Sequence, residues 1–211
     1  CSRPACHARL TYGLPKNRLV APRHHQSISL LMLQFSCQQL SSTSTRSFDP
    51  ATLVIAGWTG RNSAAIEHHI EELAAIGVPR PSTLPLYYRV GVSCLSQGRS
   101  VQVVGDNTSG EADPVLLAMP DGLWLTVGSD HTDRSAETYS VALSKQLCPK
   151  VIADQAWRFE DVRPHADQIL LRSWIVEREQ SAAGATESRV LYQAGTLAAI
   201  RPLENLIEGY V

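Results

Sequence analysis

The sequence predicts a mixed α+β, strand-rich fold, and three observations carry that expectation. Short runs of Val, Leu, Ile and Tyr, bounded by Gly, Asp, Asn and Pro, recur along most of the chain, as strands and turns require. Only three stretches carry helical spacing. Strands and helices do not alternate, and no GxxxxGKS, GxxxxGKT or GxGxxG string occurs, which disfavours nucleotide-binding α/β folds.

Taken in order, residues 1–31 show neither period and carry Arg3, Arg9, Arg18, Arg23 and His24-His25. They read as a non-native-looking or disordered N-terminal tail before a start at Met32. Residues 32–211 form a single catalytic-type domain, expected to be truncated at its C-terminus, since Val211 follows a short helix (203–207) with no polar tail.

Residues 52–56 are a short buried-type strand, and Gly57-Trp58-Thr59-Gly60 turns the chain toward Asn62, a good helix N-cap. In the helix that follows, Ile66, Ile70, Leu73 and Gly77 recur at helical spacing, giving an inward apolar stripe and a glycine stop. Pro79, Pro81 and Pro85 then force an extended connection. Strands are expected over 84–92, 100–104, 115–118, 123–127, 169–176 and 189–192. A second helix is expected over 133–147, with Ala136, Tyr139, Leu143 and Leu147 facing inward and Cys148-Pro149 ending it.

With 211 residues, 44% hydrophobic and 18% charged, the chain has enough apolar content for a sizeable core. Its formal net charge of −1 and the lack of a Lys/Arg block give no footprint for nucleic acid or an anionic membrane, so a small metabolite is the expected partner. Five scattered cysteines argue against a disulfide framework and for a reducing, cytoplasmic setting. Cys1, Cys6 and His7 lack a second ligand pair at zinc-site spacing. No apolar run reaches the roughly 18 to 20 residues that span a bilayer, and residues 28–35 make at most a weak signal-like stretch.

The chemistry concentrates in one ordered set of residues. On a strand, Glu111 and Asp113 aim both carboxylates at one point if Ala112 faces away. A third carboxylate from Asp130 completes an all-oxygen face suited to Mg²⁺ or Mn²⁺. The plainer alternative is that acidic residues flank Gly110 and Pro114 because turns are polar. His131 is a further possible ligand, and Thr132 with Arg134 reads equally as a helix cap and a surface charge.

On the first helix, His69 and Glu72 stand three apart, the geometry of an imidazole–carboxylate general base, and His68 with Glu71 repeats that spacing. One of the two pairs is as readily solvated surface. Lys145 sits near its helix end, where lysines usually complement the helix dipole in water; beside a bound carbonyl it would polarise an enolate or bind a carboxylate. Cys148 and Ser93 lie in no recognisable nucleophile motif, which makes covalent catalysis the less favoured route.

Residues 53–207, including AGWTGRN, EHHIEELAAIGVPRPSTLPLYYRV, VGSDHTDR and SKQLCPK, closely resemble the bacterial family catalogued as domain of unknown function 2848. A more distant likeness is to the fumarylacetoacetate hydrolase superfamily. Asn62, His69-Glu72-Leu73, Pro85 and Tyr88-Arg89 resemble its first motif group. Glu111 and Asp113 resemble its paired metal carboxylates, Asp130 to Arg134 its third-ligand motif, and Lys145 its active-site lysine. Asp113 stands where a second Glu is more usual, and Gly195-Thr196-Leu197 is a weak counterpart of the late Gly-Thr-Pro loop.

That resemblance implies a fumarylacetoacetate hydrolase-like β roll with a few peripheral helices, acting as a homodimer. It also implies a Mg²⁺- or Mn²⁺-dependent hydrolase that breaks a C–C bond in a small 2-oxo or β-diketo acid. Glu111, Asp113 and Asp130 would hold the metal, while Lys145, Arg89 and Arg134 would hold anionic groups of the substrate. His69 and Glu72 would activate water. A decarboxylase or isomerase on the same scaffold, a non-catalytic small-molecule-binding protein and a Cys148 hydrolase are the alternatives.

Overall fold

The computed structural model describes residues 32–75, 77–181 and 184–210. The 1–31 segment, with Cys1, Cys6 and His7, lies outside them. The chain opens with β1 (Leu33–Gln39), β2 (Ser42–Phe48) and β3 (Leu53–Gly57), followed by α1 (Ser63–Ala75), β4 (Leu86–Val90), β5 (Leu95–Ser96) and β6 (Thr108–Ser109). Next come β7 (Ala112–Met119), β8 (Gly122–Ser129), β9 (Thr132–Asp133), α2 (Arg134–Glu137) and α3 (Val141–Gln146). β10 (Lys150–Ile152), β11 (Gln155–Arg158), α4 (Phe159–Val162), β12 (Leu170–Ser181), β13 (Gly184–Thr196) and α5 (Leu203–Glu208) complete it. The fold is mixed α+β and strand-rich, around a sheet curled into a half-barrel.

The β7–β8 hairpin is the spine of that sheet. β7 lies along one edge of β8, and the other edge takes β11 opposite Trp124 and Leu125, then β10 opposite Gly128 and Ser129. β11 runs parallel to β1, which pairs in turn with β2, and β10 runs parallel to β5. Alternation gives the hairpin two faces. One packs Leu117, Met119 and Trp124 against Leu33, Phe35, Cys37, Ile152 and Ala156. The other sends Leu125, with Leu116 and Leu123, against Phe159, Leu197 and Leu203. Burial on both faces explains the near-continuous apolar runs in the hairpin.

Several expected elements form as read. Asn62 Oδ1 accepts from the N–H groups of Ala64 (3.0 Å) and Ala65 (3.2 Å), so α1 starts where its cap predicts. Ile66 and Ile70 are buried, and Gly77 takes φ +95° just past the helix end, a conformation a side chain would strain. The two late strands lengthen into one antiparallel ribbon, β12–β13, whose register shifts at Ser173/Trp174.

Other expectations are corrected. Of the weak signal-like stretch, residues 28–31 lie outside the described residues, and Leu33 and Phe35 belong to the first core strand. Residues 100–104 form no strand, and Val104 is exposed, because no neighbouring strand offers that segment a ladder. The single helix over 133–147 is two short helices. Asp133 caps the first by accepting from Ala136 N–H (2.9 Å), and Ser140 caps the second by accepting from Leu143 N–H (3.3 Å). Its facing is also reversed. Tyr139, Leu143 and Leu147 are exposed, whereas Ser144, Lys145 and Cys148 are buried, because Lys145 turns inward to a carboxylate.

Candidate functional site

The site lies at the open end of the β7–β8 hairpin, where β7 begins and β8 ends. Ala112 stands opposite Ser129 and Asp113 opposite Gly128, and Asp130 N–H donates to the Glu111 carbonyl at 3.0 Å. Glu111 and Asp113 share one face of the sheet, as their two-residue spacing predicts, and the register with β8 puts Asp130 on the same face. Gly128 leaves that face clear beside Asp113; a Cβ there would meet Val115 Cγ2 at 2.9 Å and the Val151 carbonyl at 3.1 Å. A Cβ at Gly110 would sit 2.3 Å from Ser129 Oγ and 3.0 Å from His131 Nδ1, so a side chain there would have to displace both groups.

Two buried lysines converge on Asp130. Lys145, from α3, donates to Oδ2. Lys150 Nζ lies 3.3 Å from Oδ1 and donates to the His131 carbonyl. All three side chains are at most 10% exposed, so these charges interact with little screening by water. Asp130 Oδ1 nonetheless has no hydrogen-bond partner. Lys145 Nζ also faces the Tyr88 ring, 5.8 Å from its centroid, which ties β4 to the site.

Arg134 is more than a surface charge after a cap. Its guanidinium donates to Glu111 Oε1 (3.1 Å), Glu137 Oε2 (3.0 Å) and Ser109 Oγ (2.7 Å), fastening α2 to the start of β7. His131 contacts Thr108 Oγ1 through Nε2 at 2.9 Å. Burial, then the charges of Lys150 and Arg134, hold its imidazole below the usual range, which favours the neutral ring. Among the described residues Asp113 is the site carboxylate with no ion-pair partner. Burial, with Glu111 and Asp130 nearby, pushes its carboxyl up to about 7 against the weaker opposing pull of Lys145.

The His69–Glu72 pair lies on α1. His69 Nδ1 lies 3.3 Å from Glu72 Oε2, and His68 Nδ1 lies 3.5 Å from Oε1 of the same carboxylate, so Glu72 serves both imidazoles and Glu71 serves neither. All three side chains are exposed, and the His69 ring packs against Trp58 at 5.7 Å. Among the described residues no hydrogen bond or ion pair joins them to the carboxylates. Arg89 is exposed on β4, beside Tyr88 in sequence.

Two site residues escaped sequence reasoning. Lys150 opens the run Lys150-Val151-Ile152, and a two-residue period puts it on the face of the buried Ile152, a faint signal that this lysine points inward. Gln193, whose amide bonds the backbone of Ala112, gave no signal at all.

No group of three His, Cys, Asp or Glu side chains among the described residues is arranged to hold a metal as it stands. Asp130 is occupied by the lysines and Glu111 by Arg134. The donor chemistry still fits a hard cation. The set is all oxygen, Asp113 has no ion-pair partner among the described residues, and Asp130 Oδ1 is buried with an ion pair but no hydrogen bond.

Fold and site together define a strand-rich α+β protein with an acidic centre, framed by two inward lysines, at the mouth of a curled sheet. The chain belongs to the family described as Protein of unknown function (DUF2848), whose model matches residues 56–211 and thus spans every site residue named above. No curated protein and no solved structure matches the chain.

Proposed function

We propose that this protein is a divalent-metal-dependent hydrolase of fumarylacetoacetate hydrolase-like type, cleaving a C–C bond in a small 2-oxo or β-diketo acid. The observation that carries the reading is that Asp113, which has no ion-pair partner among the described residues, shares one sheet face with Glu111 and Asp130. Those three residues would hold Mg²⁺ or Mn²⁺. When bound, such an ion stabilises negative charge on a carbonyl oxygen next to the breaking bond.

The chain's own residues supply the rest. Lys145, buried and pre-positioned by Asp130, presents an ammonium to a substrate carboxylate. Arg134 and Arg89 offer further anion contacts, and Arg134 also keeps Glu111 turned toward the site. Proton transfer falls to His69, with Glu72 orienting its imidazole through Nδ1. The same parts would serve a decarboxylase or an isomerase. Cys148 is a poor nucleophile by comparison, since it is 2% exposed and burial pushes its thiol up.

The test is a Mn²⁺ titration followed by electron paramagnetic resonance, comparing wild type with Glu111→Ala, alongside hydrolysis of a 2,4-dioxo acid. Wild type should bind the ion, and Glu111→Ala should lose at least tenfold in affinity, a common size for removal of a ligand or its support. Equal uptake by the two proteins removes the assignment.

A further inference from the structure

The residue between Glu111 and Asp113 is held from outside the sheet. β7 pairs with β8 along one edge, and the backbone of Glu111 turns toward that partner, as the bond from Asp130 N–H to its carbonyl shows. In an antiparallel ladder the next residue turns its N–H and C=O the other way, so those of Ala112 face the unpaired edge. Gln193, from β13, meets them there. Ala112 N–H donates to Gln193 Oε1 at 2.8 Å, and Gln193 Nε2 donates to the Ala112 carbonyl at 3.1 Å. Ser173 Oγ, from β12, donates to the same Oε1 at 3.2 Å.

One side-chain amide thus takes the place of a neighbouring strand at a single residue. A second feature supports it. Ser173 pairs with Gln193 but Trp174 pairs with Leu191, so Tyr192 is an extra residue and the ribbon carries a bulge beside Gln193. Bulges re-aim side chains and commonly do so next to functional sites.

We infer that Gln193 is a positioning residue for the acidic centre. By fixing the peptide units on both sides of Ala112, it sets the angle at which Glu111 and Asp113 converge. An open strand edge without such a clamp is free to twist or bulge, and a one-residue slip would send both carboxylates to the opposite face. The inference rests on reading Glu111 and Asp113 as metal ligands. The competing role, anchoring the β12–β13 ribbon to the body of the protein, would alter stability and leave metal affinity alone.

The experiment uses the full chain and Mn²⁺ as the probe. Electron paramagnetic resonance titrations would compare wild type, Gln193→Leu, Gln193→Glu and Glu111→Ala, and thermal melts in chelator would report folding separately. Gln193→Leu should weaken Mn²⁺ binding about 10- to 100-fold, the range for residues that orient metal ligands, and change the zero-field splitting of the bound ion. Gln193→Glu, which keeps the acceptor for Ala112 N–H but loses the donor for its carbonyl, should fall between Gln193→Leu and wild type.

Wild-type affinity and splitting in Gln193→Leu, with or without a lower melting temperature, would overturn the inference and leave the metal reading standing. If Gln193→Leu does not fold, Gln193→Glu decides alone: weaker binding supports the role and equal binding overturns it. Absence of Mn²⁺ uptake by wild type overturns both readings, and that result is distinct from the others.

Discussion

Lys150 and Asp130 face each other across two adjacent strands, with Lys150 Nζ 3.3 Å from Asp130 Oδ1 in a setting where neither side chain is more than 9% exposed. The pairing follows from the ladder. Val151 stands opposite Ser129, so one step further along β10 and β8 brings Lys150 beside Asp130. Glu111 lies beside Asp130 on the other side, through their backbone bond. Asp130 therefore sits between a cation on one side and a second carboxylate on the other, and it is the member both neighbours share.

Replacing Lys150 by methionine should destabilise the protein by about 3 kcal/mol, the cost of leaving a buried charge short of its partner. Urea unfolding in chelator would measure it. Asp130→Asn introduced into the Lys150→Met background should cost markedly less than in wild type, because the two residues interact directly. Additive costs would show that the pair contributes nothing.

Asp113 should make stability depend on pH. Its folded pKa of about 7 lies above the ordinary 3.8, so the folded state binds the proton more tightly than the unfolded chain does. Below the ordinary value both states are protonated and there is no penalty. The penalty grows as pH rises toward 7 and is complete above it, on the order of 4 kcal/mol at most. Asp113→Asn should therefore be more stable than wild type at pH 8 in chelator, with the gap closing near pH 4. Thermal melts across that range would show a flat difference if the carboxyl carries no such burden.

Gly128→Ala should cost about 1–3 kcal/mol, since its methyl would press on Val115 and the Val151 carbonyl, and backbone cannot yield cheaply. The loss should fall on Asp113 as well, whose cross-strand neighbour is Gly128. Denaturant midpoints measure the first effect, and Mn²⁺ affinity the second.

The reversed facing of α2 and α3 is equally testable. Tyr139→Ser and Leu143→Ser should change stability by no more than about 0.5 kcal/mol, as exposed substitutions do. Ser144→Val, at a position with no exposed surface, should cost about 1–3 kcal/mol through overpacking. The opposite ranking in urea unfolding would restore the apolar face that periodicity suggested.

Sequence alone determined what depends on neighbours in the chain. The cap at Asn62, the stop at Gly77 and the strand character of the hairpin are local, and so is the shared facing of Glu111 and Asp113, which needs only a two-residue period. Tertiary structure decided everything that depends on register between distant segments. Helix spacing left Lys145 either solvated at a helix end or turned to the site, and only its pairing with Asp130 decided that it points inward, with the leucines on the other side of that helix exposed in consequence. Lys150 and Gln193 reach the site only because β10 and β13 come to lie where they do, 19 residues beyond His131 and 81 beyond Ala112 in the chain. Propensity and spacing carry no record of such pairings, because the free energy that selects them comes from burial and hydrogen bonding across the whole fold.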